Sequence, residues 1–206
     1  ETALDNDLIV KNPVRNIKIK SIKEKQKKRT YDKASTDYLC SIDHKYALML
    51  HILLRMGLRA SELCALEWKN IDFKNKTMYI EKAITEENGA KYLDKPKSAN
   101  STRKLTIPED LLIRLEKEPK TSRFIFERCT PQKLYIYIDT IYNFLKIENG
   151  KRLSPHELRH TCGTLLYQDT KDVYYVSRFL GHSDISITTK TYVHSTLQDT
   201  EIHLDF

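Results

Sequence analysis

Ser154-Pro155-His156-Glu157-Leu158-Arg159-His160 opens a stretch that runs on through Leu180-Gly181-His182 to Thr191-Tyr192-Val193-His194. Its first residues are the grammar of a helix start. Ser154 fits the N-cap, Pro155 the first helical position, and Glu157 the third position of a capping box. His156 falls in the first turn with Arg159 three residues on, so both can share a face near the positive end of the helix. Such an end suits a bound phosphate. Gly181 fits the residue that closes a helix over 172–180, with His182 just beyond it. Tyr192 follows Ile185, Ile187, Thr188, Thr189 and Thr191, a β-branched run whose local preference is strand or loop over helix. Two histidines, a guanidinium and a phenol thus gather in a short segment. That chemistry suits an anion attacked by a tyrosine, and in a chain of net charge +7 the expected anion is a nucleic-acid phosphate.

The charge is unevenly placed. Residues 11–30 hold nine Lys and Arg against the single acid Glu24, which leaves the rest of the 206 residues close to neutral. This run (Lys18, Lys20, Lys23, Lys25, Lys27, Lys28 and Arg29 at its centre) reads as a linker over 14–30 that also touches a phosphate backbone, releasing counterions. Residues 1–13 end at Asn12-Pro13, a stop signal, and read as the C-terminal remnant of another domain. The first residue is not methionine and no leader is evident, so the chain is expected to be a piece of something longer. No apolar run nears the ~18 residues of a membrane span, and a cytoplasmic protein is expected. Four dispersed cysteines without a CxxC pair read as buried reduced thiols.

The remainder, 31–206, reads as one α+β domain, mainly α, with a small three-stranded antiparallel sheet. Helices are expected over 33–42, 44–56 (closed by Gly57), 59–66, 109–117, 132–147, 155–168 and 172–180. Strands are expected at 77–80, 90–93 and 103–107, with Asn88-Gly89 as the hairpin turn and Lys97 in the turn before the last strand. Arg59 follows a helix-ending glycine and has Glu62 three residues on to pin its guanidinium; held at a junction it could clamp a phosphate.

His156-Glu157-Leu158-Arg159-His160 also matches the H-E-x-x-H zinc pattern, with both histidines as ligands and Glu157 as base. Against it, Glu157 already serves as a cap, no third ligand stands in register, and Arg159 has no role.

Together, Gly57-Leu58-Arg59-Ala60-Ser61-Glu62-Leu63, Pro96-Lys97-Ser98 before Ser101-Thr102-Arg103, His156 to Thr161, Leu180-Gly181-His182 and Thr191 to His194 resemble the tyrosine recombinases, in particular integrases of phages and conjugative transposons. Order and spacing match over 31–195, and residues 1–13 resemble the end of that family's core-binding domain. The resemblance implies that Tyr192 attacks a DNA phosphate to give a 3′-phosphotyrosyl link, without metal or other cofactor. Arg59 and Arg159 would meet the transition-state charge, Lys97 protonate the leaving 5′-oxygen, His156 assist proton transfer and His182 bind the phosphate. Glu62 and His160 would support them, and Arg103 would join the linker cations on DNA. Implied partners are double-stranded attachment or transposon-end sites, a tetramer on DNA and accessory DNA-bending proteins, at the bacterial nucleoid. The tail 195–206 could pack on its own domain or on a neighbour's. The rivals are a DNA-binding relative without strand exchange, a type IB topoisomerase, and the zinc hydrolase.

Overall fold

Leu50, Ile52, Leu53 and Met56 have no measurable exposure, and the helix that carries them buries nine of its ten residues. The computed structural model describes residues 28–87, 90–94, 102–193 and 200–205, and this helix is its axis. In chain order the elements are β1 (Arg29–Tyr31), α1 (Lys33–Ser41), α2 (Ala47–Met56), α3 (Ala60–Cys64), β2 (Ile71–Asp72), β3 (Thr77–Ile80), β4 (Ala83–Glu87), β5 (Ala90–Asp94), β6 (Arg103–Thr106), α4 (Glu109–Lys117), α5 (Pro131–Phe144), α6 (Pro155–Thr170), α7 (Val173–Leu180), α8 (Ile185–Thr188) and β7 (Thr200–Ile202). The central α2 packs against α1, α4, α5 and α6. A helix that is apolar except at His51 and Arg55 belongs in the middle of such a bundle, where each buried Leu or Ile contributes about 1.5–3 kcal/mol.

Local signals set most boundaries. Asp32, Asp172 and Asp184 cap α1, α7 and α8 by accepting backbone N–H groups, and Thr130 caps α5 one residue earlier than expected. The second helix starts at Ala47 rather than residue 44, because His44 accepts from the Tyr46 N–H through Nδ1 and turns the chain there. The β-branched run before Tyr192 is helical after all. Asp184 starts α8 through its bond to the Ser186 N–H, and a π-helical turn, Thr189–Val193, carries the run through Tyr192. Cap and packing override the residues' strand preference.

The expected antiparallel sheet of three strands is present, but its membership differs. Its order is β2-β3-β6, with Thr77 opposite Thr106 and Ile80 opposite Arg103. Residues 90–94 pair instead with β4 in a separate hairpin, Glu87 opposite Ala90. Ile71–Asp72 takes the free edge through a tight turn in which Asp72 accepts the Asn75 N–H and Lys76 is left-handed. Asn88-Gly89 and Lys97 lie outside the described residues.

β1 runs parallel to β7, Arg29 opposite Thr200 and Tyr31 opposite Ile202. Arg29 and Thr30, read as linker residues, thus pair with the strand near the C-terminus. Residues 200–205 pack on the same chain: Ile202 and Leu204 are buried, the Leu204 N–H donates to Ser35 Oγ, and Asp205 meets Lys151. Among the described residues no helix is long and apolar enough to cross a membrane.

Candidate active site

Two helix ends build the site. Gly57 closes α2 in the left-handed conformation (φ 58°), and Gly181 closes α7 in the same way (φ 70°). A side chain at Gly57 would strain that turn, and its Cβ would come within 2.7 Å of Leu180 Cδ2. Helix C-termini carry unpaired carbonyls and the negative end of the dipole. Here those carbonyls receive guanidinium groups. Arg159 donates from Nη1 to Gly57 O (2.6 Å) and from Nη2 to Leu180 O (2.7 Å). Arg59 donates from Nη2 to Gly181 O (2.7 Å), and Arg103 from Nε to Phe179 O (2.7 Å).

One carboxylate ties the three together. Glu62, 2 % exposed, accepts from Arg59 Nη1 (2.6 Å) and the Arg59 N–H (2.9 Å), and from Arg103 Nη1 and Nη2 (3.1 and 3.0 Å). Arg159 Nη1 lies 3.9 Å from it. Burial works to raise the Glu62 carboxyl, but the hydrogen bonds and charge of Arg103, with the charge of Arg159, hold it below the usual range. Burial, and then the charge of Arg59, lowers Arg159 to about 10, still a cation at neutral pH. Three guanidiniums against one carboxylate leave a net positive site. Arg59 is its open member and Arg159 lies beneath. Arg103, expected among the DNA-contacting cations, faces inward instead, with Glu62 and the end of α7 as its partners.

His182 follows Gly181, and its Nδ1 lies 2.7 Å from Thr188 Oγ1. Burial, then the charges of Arg159, Arg59 and Arg103, push it down to about 4, so it is neutral at pH 7. Because its folded value lies below its ordinary 6.5, its contribution to stability is complete above pH 6.5 and fades as pH falls toward about 4. His182→Gln is therefore expected to flatten the fall of the urea midpoint between pH 6.5 and the ordinary carboxylate value of 4.5. An unchanged slope would mean that His182 is not held neutral by its surroundings. His156 is exposed on the first turn of α6, and loss of water on the protein side of its ring, then the charges of Arg159 and Lys28, lower it too.

Tyr192 is 4 % exposed and packs with Val176 and Leu180. Its ring lies 5.1 Å from the ring of His160, itself buried. The phenol rests over Gly163 of α6, where a Cβ would stand 2.4 Å from the hydroxyl oxygen and 2.9 Å from Leu180 Cδ1. A mid-helix glycine costs up to about 1 kcal/mol against alanine, and here it makes the seat for that ring. Gly163→Ala is predicted to unseat the phenol and raise nitration of Tyr192 by tetranitromethane several-fold, read by peptide mass mapping. Equal nitration in both proteins would rule this seat out.

Lys28, last lysine of the basic run, donates to Thr191 Oγ1 (2.9 Å) beside Tyr192. Arg29, grouped with that run, is built into the domain: it donates to Glu157 Oε1 and to the carbonyls of Gly150 and Arg152. Glu157 also accepts from the Ser154 N–H and Oγ at 2.8 Å each, so the base of the zinc pattern is held by its cap and by Arg29. Among the described residues no cluster of three or more His, Cys, Asp or Glu could hold a metal ion. Lys97, Lys18, Lys20, Lys23, Lys25 and Lys27 lie outside the described residues. Thr188, Gly163 and the carbonyls of residues 179–181 were not anticipated. A glycine inside an otherwise good helix is the signal that could have found Gly163.

The Phage integrase family model matches residues 20–199. The chain belongs to the phage integrase family. Among curated proteins, the chain is 24 % identical over 212 residues to the ICEBs1 integrase of Bacillus subtilis, across 94 % of its own length and 58 % of that protein's. It is 32 % identical over 161 residues to tyrosine recombinase XerA of Saccharolobus solfataricus, covering 75 % of the chain and 47 % of the relative. Among solved structures it superposes on the Tn1549 transposon integrase in complex with transposon right end DNA with a TM-score of 0.71, at 23 % identity, over 94 % of this chain and 70 % of that one. This likeness supports the catalytic-domain fold read from the sequence, helices around a small antiparallel sheet. The chain spans between about half and two thirds of the length of the curated relatives it matches.

Proposed function

We propose that the protein is a site-specific DNA recombinase of a mobile element, with Tyr192 as nucleophile. The observation that carries this reading is the net-positive set of arginines, hung on two helix ends and Glu62, with Tyr192 and His182 beside it. In the proposed step the phenol oxygen bonds to the phosphorus of a duplex phosphodiester, and the 5′-oxygen leaves with a proton. The phosphodiester energy is kept in a 3′-phosphotyrosyl bond, so reversal by a partner strand's 5′-hydroxyl needs no nucleotide cofactor. Fixed guanidiniums meet the charge that develops on the non-bridging oxygens. Arg59 and Arg159 have that role; each retains N–H groups beyond those bonded to carbonyls and Glu62. Neutral His182, with Thr188 donating to Nδ1, offers its other ring N–H to the phosphate. His156 assists the proton of Tyr192, and Lys97 protonates the 5′-oxygen. Tyr192 is buried in the free chain, so cleavage also needs the phenol to leave its seat over Gly163.

The substrate in this reading is double-stranded DNA at attachment or transposon-end sites. The chain acts there as a tetramer, with accessory DNA-bending proteins, at the nucleoid of a bacterial cytoplasm. The basic residues from Lys18 to Lys28 follow the phosphate backbone at the entry to the domain. The similarity to an integrase from Bacillus subtilis and the fold shared with an integrase bound to transposon-end DNA support it. The test is a nicked duplex carrying the ends of the element that encodes the chain. The expected product is a complex that survives denaturing electrophoresis and whose digest places the nucleotide on Tyr192. An adduct on any other residue would refute the assignment.

A further inference from the structure

Two thiols face each other away from the arginine site. Cys64 ends α3, and Cys129 precedes the cap of α5 by one residue. Their sulfurs lie 3.2 Å apart, both side chains buried. A disulfide bond is about 2.05 Å long, so bonding needs a closure of roughly 1 Å. The pair is also reachable. It lines a cavity of about 230 Å³ together with Phe124, Phe126, Leu93 and Arg128, and Leu93 and Arg128 are exposed. Arg128 is left-handed (φ 56°), in the turn that brings Cys129 to Cys64.

We propose that Cys64 and Cys129 form a peroxide-oxidisable dithiol whose disulfide clamps α3, the helix that carries Glu62, to the turn before α5. The chemistry balances. The Cys129 thiolate attacks hydrogen peroxide, the O–O bond breaks, and a sulfenic acid and hydroxide result. The Cys64 sulfur then attacks that sulfenic sulfur, its proton leaving with the displaced hydroxyl as water. Two thiols and one peroxide become one disulfide and two waters. The two sulfurs together give up two electrons, and the peroxide oxygens accept them.

The environment separates this pair from the other cysteines. A hydrogen bond with Cys64, aided by the charge of Lys133, holds the Cys129 thiol below its ordinary value against burial. Burial pushes Cys40 and Cys162 up to about 12, where almost no thiolate exists at neutral pH. Glu62 is two residues before Cys64 on a five-residue helix, so a tether at one end bears on the carboxylate that holds Arg59 and Arg103.

The test treats the whole chain with hydrogen peroxide, quenches with catalase and maps it by mass spectrometry. The expected result is a species about 2 Da lighter in which the Cys64 and Cys129 peptides are linked, restored by dithiothreitol. Cys64→Ser and Cys129→Ser should each abolish it, and the double variant Cys40→Ser/Cys162→Ser should keep it. Amide exchange over residues 61–66 should slow severalfold in the bridged form. A bridge that includes Cys40 or Cys162, or a gain of about 16 or 32 Da on Cys129 with Cys64 left reduced, would overturn the dithiol. Unchanged exchange over 61–66 would overturn the clamp.

Discussion

A Tyr192→Phe chain should form no covalent complex with nicked element-end DNA, while its affinity for the same duplex stays within about twofold. The loss should be complete because the oxygen proposed to make the new bond to phosphorus is gone. His160 and Leu180, which pack on the ring and hold it, present no oxygen in its place. The fold should tolerate the change. The ring keeps its contacts with Val176 and Leu180, and a volume-conserving swap of this kind usually costs less than about 1.5 kcal/mol. Electrophoresis under denaturing conditions reads the first result and a salt-controlled binding titration the second. An adduct that persists in the phenylalanine variant would remove Tyr192 from the reaction.

Glu62→Ala should cost stability as well as chemistry, by about 3–5 kcal/mol, the usual penalty for removing one side of a buried ion pair. The carboxylate is 2 % exposed and is the acid that Arg59, Arg103 and, at 3.9 Å, Arg159 share. Without it three guanidiniums repel one another in a site of low dielectric. Glu62→Gln keeps the shape and one acceptor oxygen, and should fall between wild type and alanine. Acid provides a control. The folded carboxyl sits below its ordinary 4.5, so its contribution is present above pH 4.5 and is lost as pH falls through the lower folded value. The difference between wild type and Glu62→Gln in urea should therefore narrow below pH 4.5. If Glu62→Ala melts within about 1 kcal/mol of wild type, the carboxylate is not what holds the arginines.

Legibility from sequence followed the range of each interaction. The helix-end signals at Ser154, Gly57 and Gly181 act within four residues, and they were read in place. Arg59, Glu62, Arg159, His182 and Tyr192 were named from their order along the chain, and the folded chain gathers them. Long-range partners were hidden. Nothing local says that Ile71–Asp72 pairs with β3 while 90–94 turns away to β4. Nothing local turns Arg103 inward to Glu62 or Arg29 to Glu157 either; in sequence each is one cation among many. The helical run through Tyr192 was missed because β-branching was weighed without the Asp184 cap that overrules it.

Phe179, Leu180 and Gly181 give their carbonyl oxygens, not their side chains, to Arg103, Arg159 and Arg59. For Phe179 a side-chain scan would therefore under-report what the position contributes, because substitution leaves the backbone oxygen in place. Amide-to-ester replacement, which weakens a carbonyl as an acceptor without altering the side chain, would find it. In an effort to move this arginine cluster onto another scaffold, the unit to graft is the end of a helix rather than a set of residue letters.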